Sequence, residues 1–131
     1  MPEPNEERMT KYPIILTALL LLSIAPFTHG QEKGNDNDYQ YALIEAVKQK
    51  NLGNLSEAVK LYSLVIKEKP DCDVAYYEIG SIYLITNQLE LADRNLGKAY
   101  ALDPQNEWYT VAYLNALSAR EKFEEAEDIL R

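Results

Sequence analysis

The chain has 131 residues, 13 Lys plus Arg against 21 Asp plus Glu, and a formal net charge of −8. That length holds one domain with a leader but no large two-domain enzyme, and a hydrophobic share of 47% excludes wholesale disorder. The acidic balance argues against binding a phosphate backbone, and a single Cys excludes an internal disulfide framework or a Cys-based zinc cluster.

The first element reads as an address. Residues 14–25, IILTALLLLSIA, are twelve residues without a charge. A membrane span takes about 20 apolar residues, so this run has the proportions of a secretory h-region instead. Pro26 stops it, and Thr28 and Gly30 place small side chains at the −3 and −1 positions of a signal-peptidase site. Residues 1–30 are therefore expected to be a signal peptide cleaved after Gly30, and the protein to be periplasmic or secreted. Upstream of the run, Glu3, Glu6 and Glu7 outweigh Arg8 and Lys11, whereas a start at Met9 leaves Lys11 and the α-amino group, a better n-region. The competing reading, an uncleaved leader, would be the one tie to a membrane. Cleavage would shift the net charge from −8 to −7 and remove His29, the chain's single histidine. Residues 31–38, QEKGNDND, are polar and read as a flexible linker.

Beyond residue 38 the chain is periodic. Ala58, Ala92 and Ala126 recur every 34 residues, as do Leu55, Leu89 and Phe123, then Tyr62, Leu96 and Leu130, and Pro70 with Pro104. In the clearest unit, 73–106, Tyr76, Ile79, Gly80 and Tyr83 form one helical stripe and Leu89, Ala92, Leu96 and Ala99 a second. Pro104 ends the second run. Small residues at Gly80 and Ala92 suit the close approach of two antiparallel helices. The pattern predicts helices over 39–52, 55–69, 73–86, 89–102, 107–120 and 123–131. Asn54 with Glu57 predicts a capping box, and Asn106 predicts an N-cap followed by Glu107.

The middle unit resembles a tetratricopeptide repeat (TPR), whose signature is W-x2-L-G-x2-Y, then A-x3-F, then P. Here the matching residues are Tyr76, Ile79, Gly80 and Tyr83, then Ala92 and Leu96, then Pro104. Unit 39–72 matches in its second half through Ala58, Tyr62 and Pro70, but has Ala42, Glu45, Ala46 and Gln49 at the first-helix places. Unit 107–131 keeps Phe123, Ala126 and Leu130, with Thr110, Tyr113, Leu114 and Leu117 at those places. The expected fold is all-α, an α-solenoid of antiparallel helix hairpins with about 2.7 TPR units over 39–131. The third unit stops nine residues short of its period, without a polar capping helix. A piece of a longer array is the favoured reading; self-association through the uncapped C-terminal end is the other.

Catalytic readings find no support. After cleavage there is no histidine for a nucleophile–base dyad or an imidazole metal ligand. Cys72 reads as a tolerated turn residue, with intermolecular pairing as its alternative. Glu124, Glu125, Glu127 and Asp128 read as a solvated helix face rather than a cation site, and Gly53, Gly80 and Gly97 form no phosphate loop. No enzyme activity, cofactor, metal or nucleic acid is expected.

What the resemblance implies is a concave groove lined by the first helix of each hairpin. In this chain it would carry Leu43, Ile44, Val47 and Lys50; then Val74, Tyr77, Glu78, Ser81, Leu84 and Ile85; then Trp108, Val111, Ala112 and Asn115. The Lys/Asn/Arg clamp by which some family members hold a C-terminal carboxylate is replaced by Leu43, Val47, Glu78, Trp108 and Ala112. The expectation is a non-enzymatic scaffold that binds a protein or peptide through an apolar face. The alternative is the extracytoplasmic sensory region of a longer membrane-bound signalling protein.

Overall fold

A computed structural model describes residues 38–131; the leader, its cleavage site and residues 31–37 of the linker lie outside the described residues. Six helices follow one another: α1 Asp38–Asn51, α2 Leu55–Glu68, α3 Asp73–Ile85, α4 Leu89–Leu102, α5 Glu107–Ala119 and α6 Phe123–Leu130. Each packs on the next in the chain, and α3 also touches α5, giving stacked antiparallel hairpins. All helix starts from α2 onward fall where the periodicity puts them. The first differs by one residue, because Asp38, assigned to the linker, already begins α1. The ends of α1, α2, α3, α5 and α6 come one residue early, since Lys69, Thr86, Arg120 and Arg131 are C-caps rather than helical positions. No described helix is long and apolar enough to cross a membrane.

The turns repeat as strictly as the helices. Gly53 (φ 81°), Asn87 (φ 59°) and Glu121 (φ 59°) stand 34 residues apart, and each takes the left-handed conformation that ends a helix. In each turn the following amide reaches back five residues: Asn54 N to Gln49 O at 2.9 Å, Gln88 N to Tyr83 O at 2.8 Å, and Lys122 N to Leu117 O at 2.9 Å. These Schellman-type bonds satisfy carbonyls that the helix end would otherwise orphan. The turns between hairpins also match, with Cys72 N donating to Lys69 O at 3.1 Å and Asn106 N to Asp103 O at 3.2 Å.

Small residues set the spacing of the stack. Ala46, Ala58, Ala75, Ala92, Ala99 and Ala116 are fully buried, while Tyr62, Val65, Leu96 and Leu117 fill the space between helices. One cluster joins α1, α2 and α3 through Ala46, Ala58, Tyr62, Val65, Cys72, Ala75, Ile79 and Ile82. A second joins α4 and α5 through Ala92, Leu96 and Ala116, with Tyr83 of α3 packed against both.

Three expectations are corrected. The capping box at Asn54 does not form: its Nδ2 donates to Gln49 Oε1 at 2.7 Å, and Glu57 pairs with Lys60. Cys72 keeps its turn position but is more than a tolerated residue there: it is buried in the first cluster with Val65 and Ala75. Phe123 is 64% exposed rather than packed like its counterpart Leu55. Leu55 lies beside Ile82 and Tyr83 of the next hairpin, whereas no described helix follows α6. The Asn106 cap does form, its side chain accepting from Trp108 N at 3.0 Å.

Candidate functional site

Two antiparallel steps return the chain to its starting direction, so α1, α3 and α5 run parallel along one face of the stack. Side chains tie them together. Lys50 Nζ of α1 donates to Glu78 Oε2 of α3 at 2.6 Å. Tyr77 of α3 and Tyr109 of α5 pack with ring centroids 5.1 Å apart and planes tilted by 36°. The Tyr109 hydroxyl donates to Asp73 Oδ2 at 3.0 Å, at the first residue of α3. Burial and this bond to Asp73 push the Tyr109 pKa above the ordinary tyrosine value.

The residues expected in the groove divide into two groups. Ile44, Val47, Val74, Ile85, Trp108, Val111 and Asn115 are exposed, with Ile85 at 73% and Trp108 at 75%. Leu43, Tyr77, Ser81, Leu84 and Ala112 are half-buried. Of these, Leu43 packs against the α1–α3 cluster, and Tyr77, Leu84 and Ala112 pack against the α4–α5 cluster. Lys50 and Glu78 neutralise each other within the face. Among the repeat positions, Ala58, Tyr62, Gly80, Ala92, Leu96 and Ala126 are buried; Tyr76 and Tyr83 are half-buried, and Pro70 and Pro104 exposed.

Long-range polar ties were not visible in the sequence reading. Asp93 of α4 is 6% exposed and meets Arg120 and Lys122, the latter at 3.1 Å, in the turn between α5 and α6. Glu125 and Asp93 raise the Lys122 pKa. Tyr62 buries a hydroxyl with no partner, and burial, then the Glu78 charge, raise its pKa. No local spacing rule joins residues this far apart. A search for opposite charges near one repeat length would have found them, since Lys50–Glu78 and Asp93–Arg120 are separated by 28 and 27 residues.

Chemically the face offers apolar contact and little else. Among the described residues no group of three metal-ligating side chains converges. The thiol of Cys72 is buried. An open cleft of about 380 Å³ between α2 and α3, lined by Leu55, Val59, Ile82, Tyr83 and Thr86, has Lys60 as its one charged group.

Residues 74–106 match the sequence model described as tetratricopeptide repeat. No curated protein matches the chain. Among solved structures, one described as the MamA RS-1 ArsTM double mutant superposes with a TM-score of 0.66 at 24% identity, over 72% of this chain and 53% of that one. The chain thus spans about half the length of that structure. The likeness extends the similarity of fold beyond the matched unit. Residues 74–106, the central unit of the described hairpins, are thus similar to a tetratricopeptide repeat.

Proposed function

We propose that the protein is a non-enzymatic scaffold that binds a peptide or protein segment on the concave face lined by α1, α3 and α5. One observation carries the reading. Ile44, Val47, Val74, Ile85, Trp108 and Val111 expose large apolar side chains on these three helices, while the charged pair within the face is internally neutralised. A cluster of exposed apolar groups with an indole anchor suits burial of a partner's hydrophobic side chains. The uncharged run at Ile14–Ala25 and the small residues Thr28 and Gly30 support an exported location for this scaffold.

The test is a crosslinking pull-down from the exported fraction, comparing the wild type with Trp108→Ala plus Val111→Ser. Both side chains are exposed, so far-UV circular dichroism should be unchanged. Loss of a discrete captured protein in the double variant is the expected result. Equal recovery by both proteins would overturn the assignment of this face.

A further inference from the structure

The two internal junctions of the stack show which positions meet when one hairpin packs on the next. Between α2 and α3, Leu55 and Val59 share a cleft with Ile82, Tyr83 and Thr86. Between α4 and α5, Asp93 meets Arg120, and a Cβ at Gly97 would touch the Tyr113 ring at 3.1 Å. The 34-residue period carries these positions onto the outer faces of the first and last described helices. Leu55, Val59 and Gly97 become Phe123, Glu127 and Arg131 at α6. Ile82, Thr86 and Tyr113 become Lys48, Leu52 and Glu45 on α1.

Among the described residues no helix lies against either outer face. Phe123 and Leu130 are exposed, although Tyr62 and Leu96, the counterparts of Leu130, are fully buried. Lys48 and Leu52 are exposed as well, whereas Ile82 and Ala116, the counterparts of Lys48, are buried. Laid on each other in the register of the internal junctions, the two faces are complementary. Phe123 falls beside Leu52 and the aliphatic stem of Lys48. Arg131 falls opposite Glu45, and Glu127 enters the cleft with Lys48. Each face now quenches its own charge, Lys48 on Glu45 at 3.1 Å and Arg131 on Glu127 at 2.8 Å. Such surface pairs are weak, so exchanging partners across a junction costs little and strands no charge.

We infer that α6 of one copy docks on α1 of a second copy, continuing the stack in the register of its own hairpins. This interface is heterologous and does not close on itself, so copies add one after another. Apolar contact at Phe123 and Leu52 supplies the attraction, and the opposite charges fix the register. The inference goes beyond the reading of the concave face, which end-to-end stacking would lengthen.

The experiment is sedimentation velocity of the full chain over a concentration series. The average mass is expected to rise with concentration and to pass that of a dimer. Phe123→Ser with Leu52→Ser, both at exposed positions, should weaken association about tenfold and leave far-UV circular dichroism unchanged. Arg131→Glu alone, or Glu45→Lys alone, should weaken it about threefold at low salt. An equimolar mixture of these two variants should restore it, because each altered face then meets its complement. Trp108→Ala, on the concave face, should leave association intact. A monomer at every concentration would overturn the inference and leave the α6 face to a further hairpin. Association that survives Phe123→Ser with Leu52→Ser would overturn it, assigning self-contact to another part of the chain. A mass that stops at the dimer, or a mixture that fails to restore association, would overturn the register. Loss of association with Trp108→Ala would give the concave face to a second copy and overturn it too. Capture of a partner on the concave face is read separately in the pull-down, so failure here leaves that reading standing.

Discussion

Gly80 of α3 lies directly against Leu96 of α4: a Cβ at residue 80 would come within 2.6 Å of Leu96 Cγ and 2.9 Å of the Leu96 backbone nitrogen. Backbone cannot turn aside as a side-chain tip can, so even one methyl must push the helices of this hairpin apart. Overpacking costs about 1–3 kcal/mol, more than the roughly 1 kcal/mol by which Ala outdoes Gly inside a helix. Gly80→Ala is expected to lower stability by about 1–2 kcal/mol in urea unfolding. Gly97→Ala is the control: its Cβ would meet only the Tyr113 ring, at 3.1 Å. A half-buried ring can shift, and the change should stay within about 0.5 kcal/mol.

Asp93 anchors the third hairpin. Its carboxylate is almost fully buried, but Arg120 and Lys122 keep 28% and 31% of their side chains exposed, so water recovers part of what their loss would cost. Asp93→Ala should destabilise by about 1–3 kcal/mol, less than for a fully buried pair. Amide hydrogen exchange should quicken in α5 and α6 while α1 and α2 hold their protection.

Tyr62, Tyr109 and Tyr113 all have pKa values raised, chiefly by burial. Folding thus favours the protonated phenol, and the stability this provides is complete below the unfolded value of about 10 and lost as pH rises above it. Lys122, also raised, acts with the same sign. The melting temperature should fall steeply above about pH 10. Tyr62→Phe should flatten that fall. At neutral pH it removes a hydroxyl that has no partner, so stability should hold or rise by up to about 1 kcal/mol.

Glu121 occupies the left-handed turn position at φ 59°, where its counterpart is Gly53. An L-residue pays about 1 kcal/mol there, and Gly gives back part of the gain through its larger unfolded-state freedom. Glu121→Gly should raise thermal stability by about 0.5 kcal/mol, and Asn87→Gly by less, since Asn tolerates this conformation.

Much of the architecture was legible because one period governs both packing and turns. Alanines at 58 and 92 had to be small to let helices meet, and Leu96 had to be large to fill the space beside Gly80. The gaps left between predicted helices at 53–54 and 87–88 marked turns whose hydrogen bonds the structure then supplies. Phe123 misled for a physical reason: its place in the period matches Leu55, but burial needs a following helix, which sequence register alone does not furnish. Cys72 read only as a tolerated turn residue, between Asp71 and Asp73, because the burial of its thiol depends on how adjacent hairpins stack.

The candidate face was legible only as a set of helix positions. The resemblance named Ile44, Val47, Trp108 and Val111, and the stack leaves them open to solvent. It could not show that Lys50 would close on Glu78, or that Asp93 would hold Arg120 and Lys122. Local residue pattern determined the helices, their breaks and their small contact points, because those follow from propensity and steric volume along a few turns of chain. That Lys50 quenches Glu78, and Arg120 with Lys122 quenches Asp93, was decided by tertiary structure alone, because a pairing about one repeat apart exists only once successive hairpins are laid side by side.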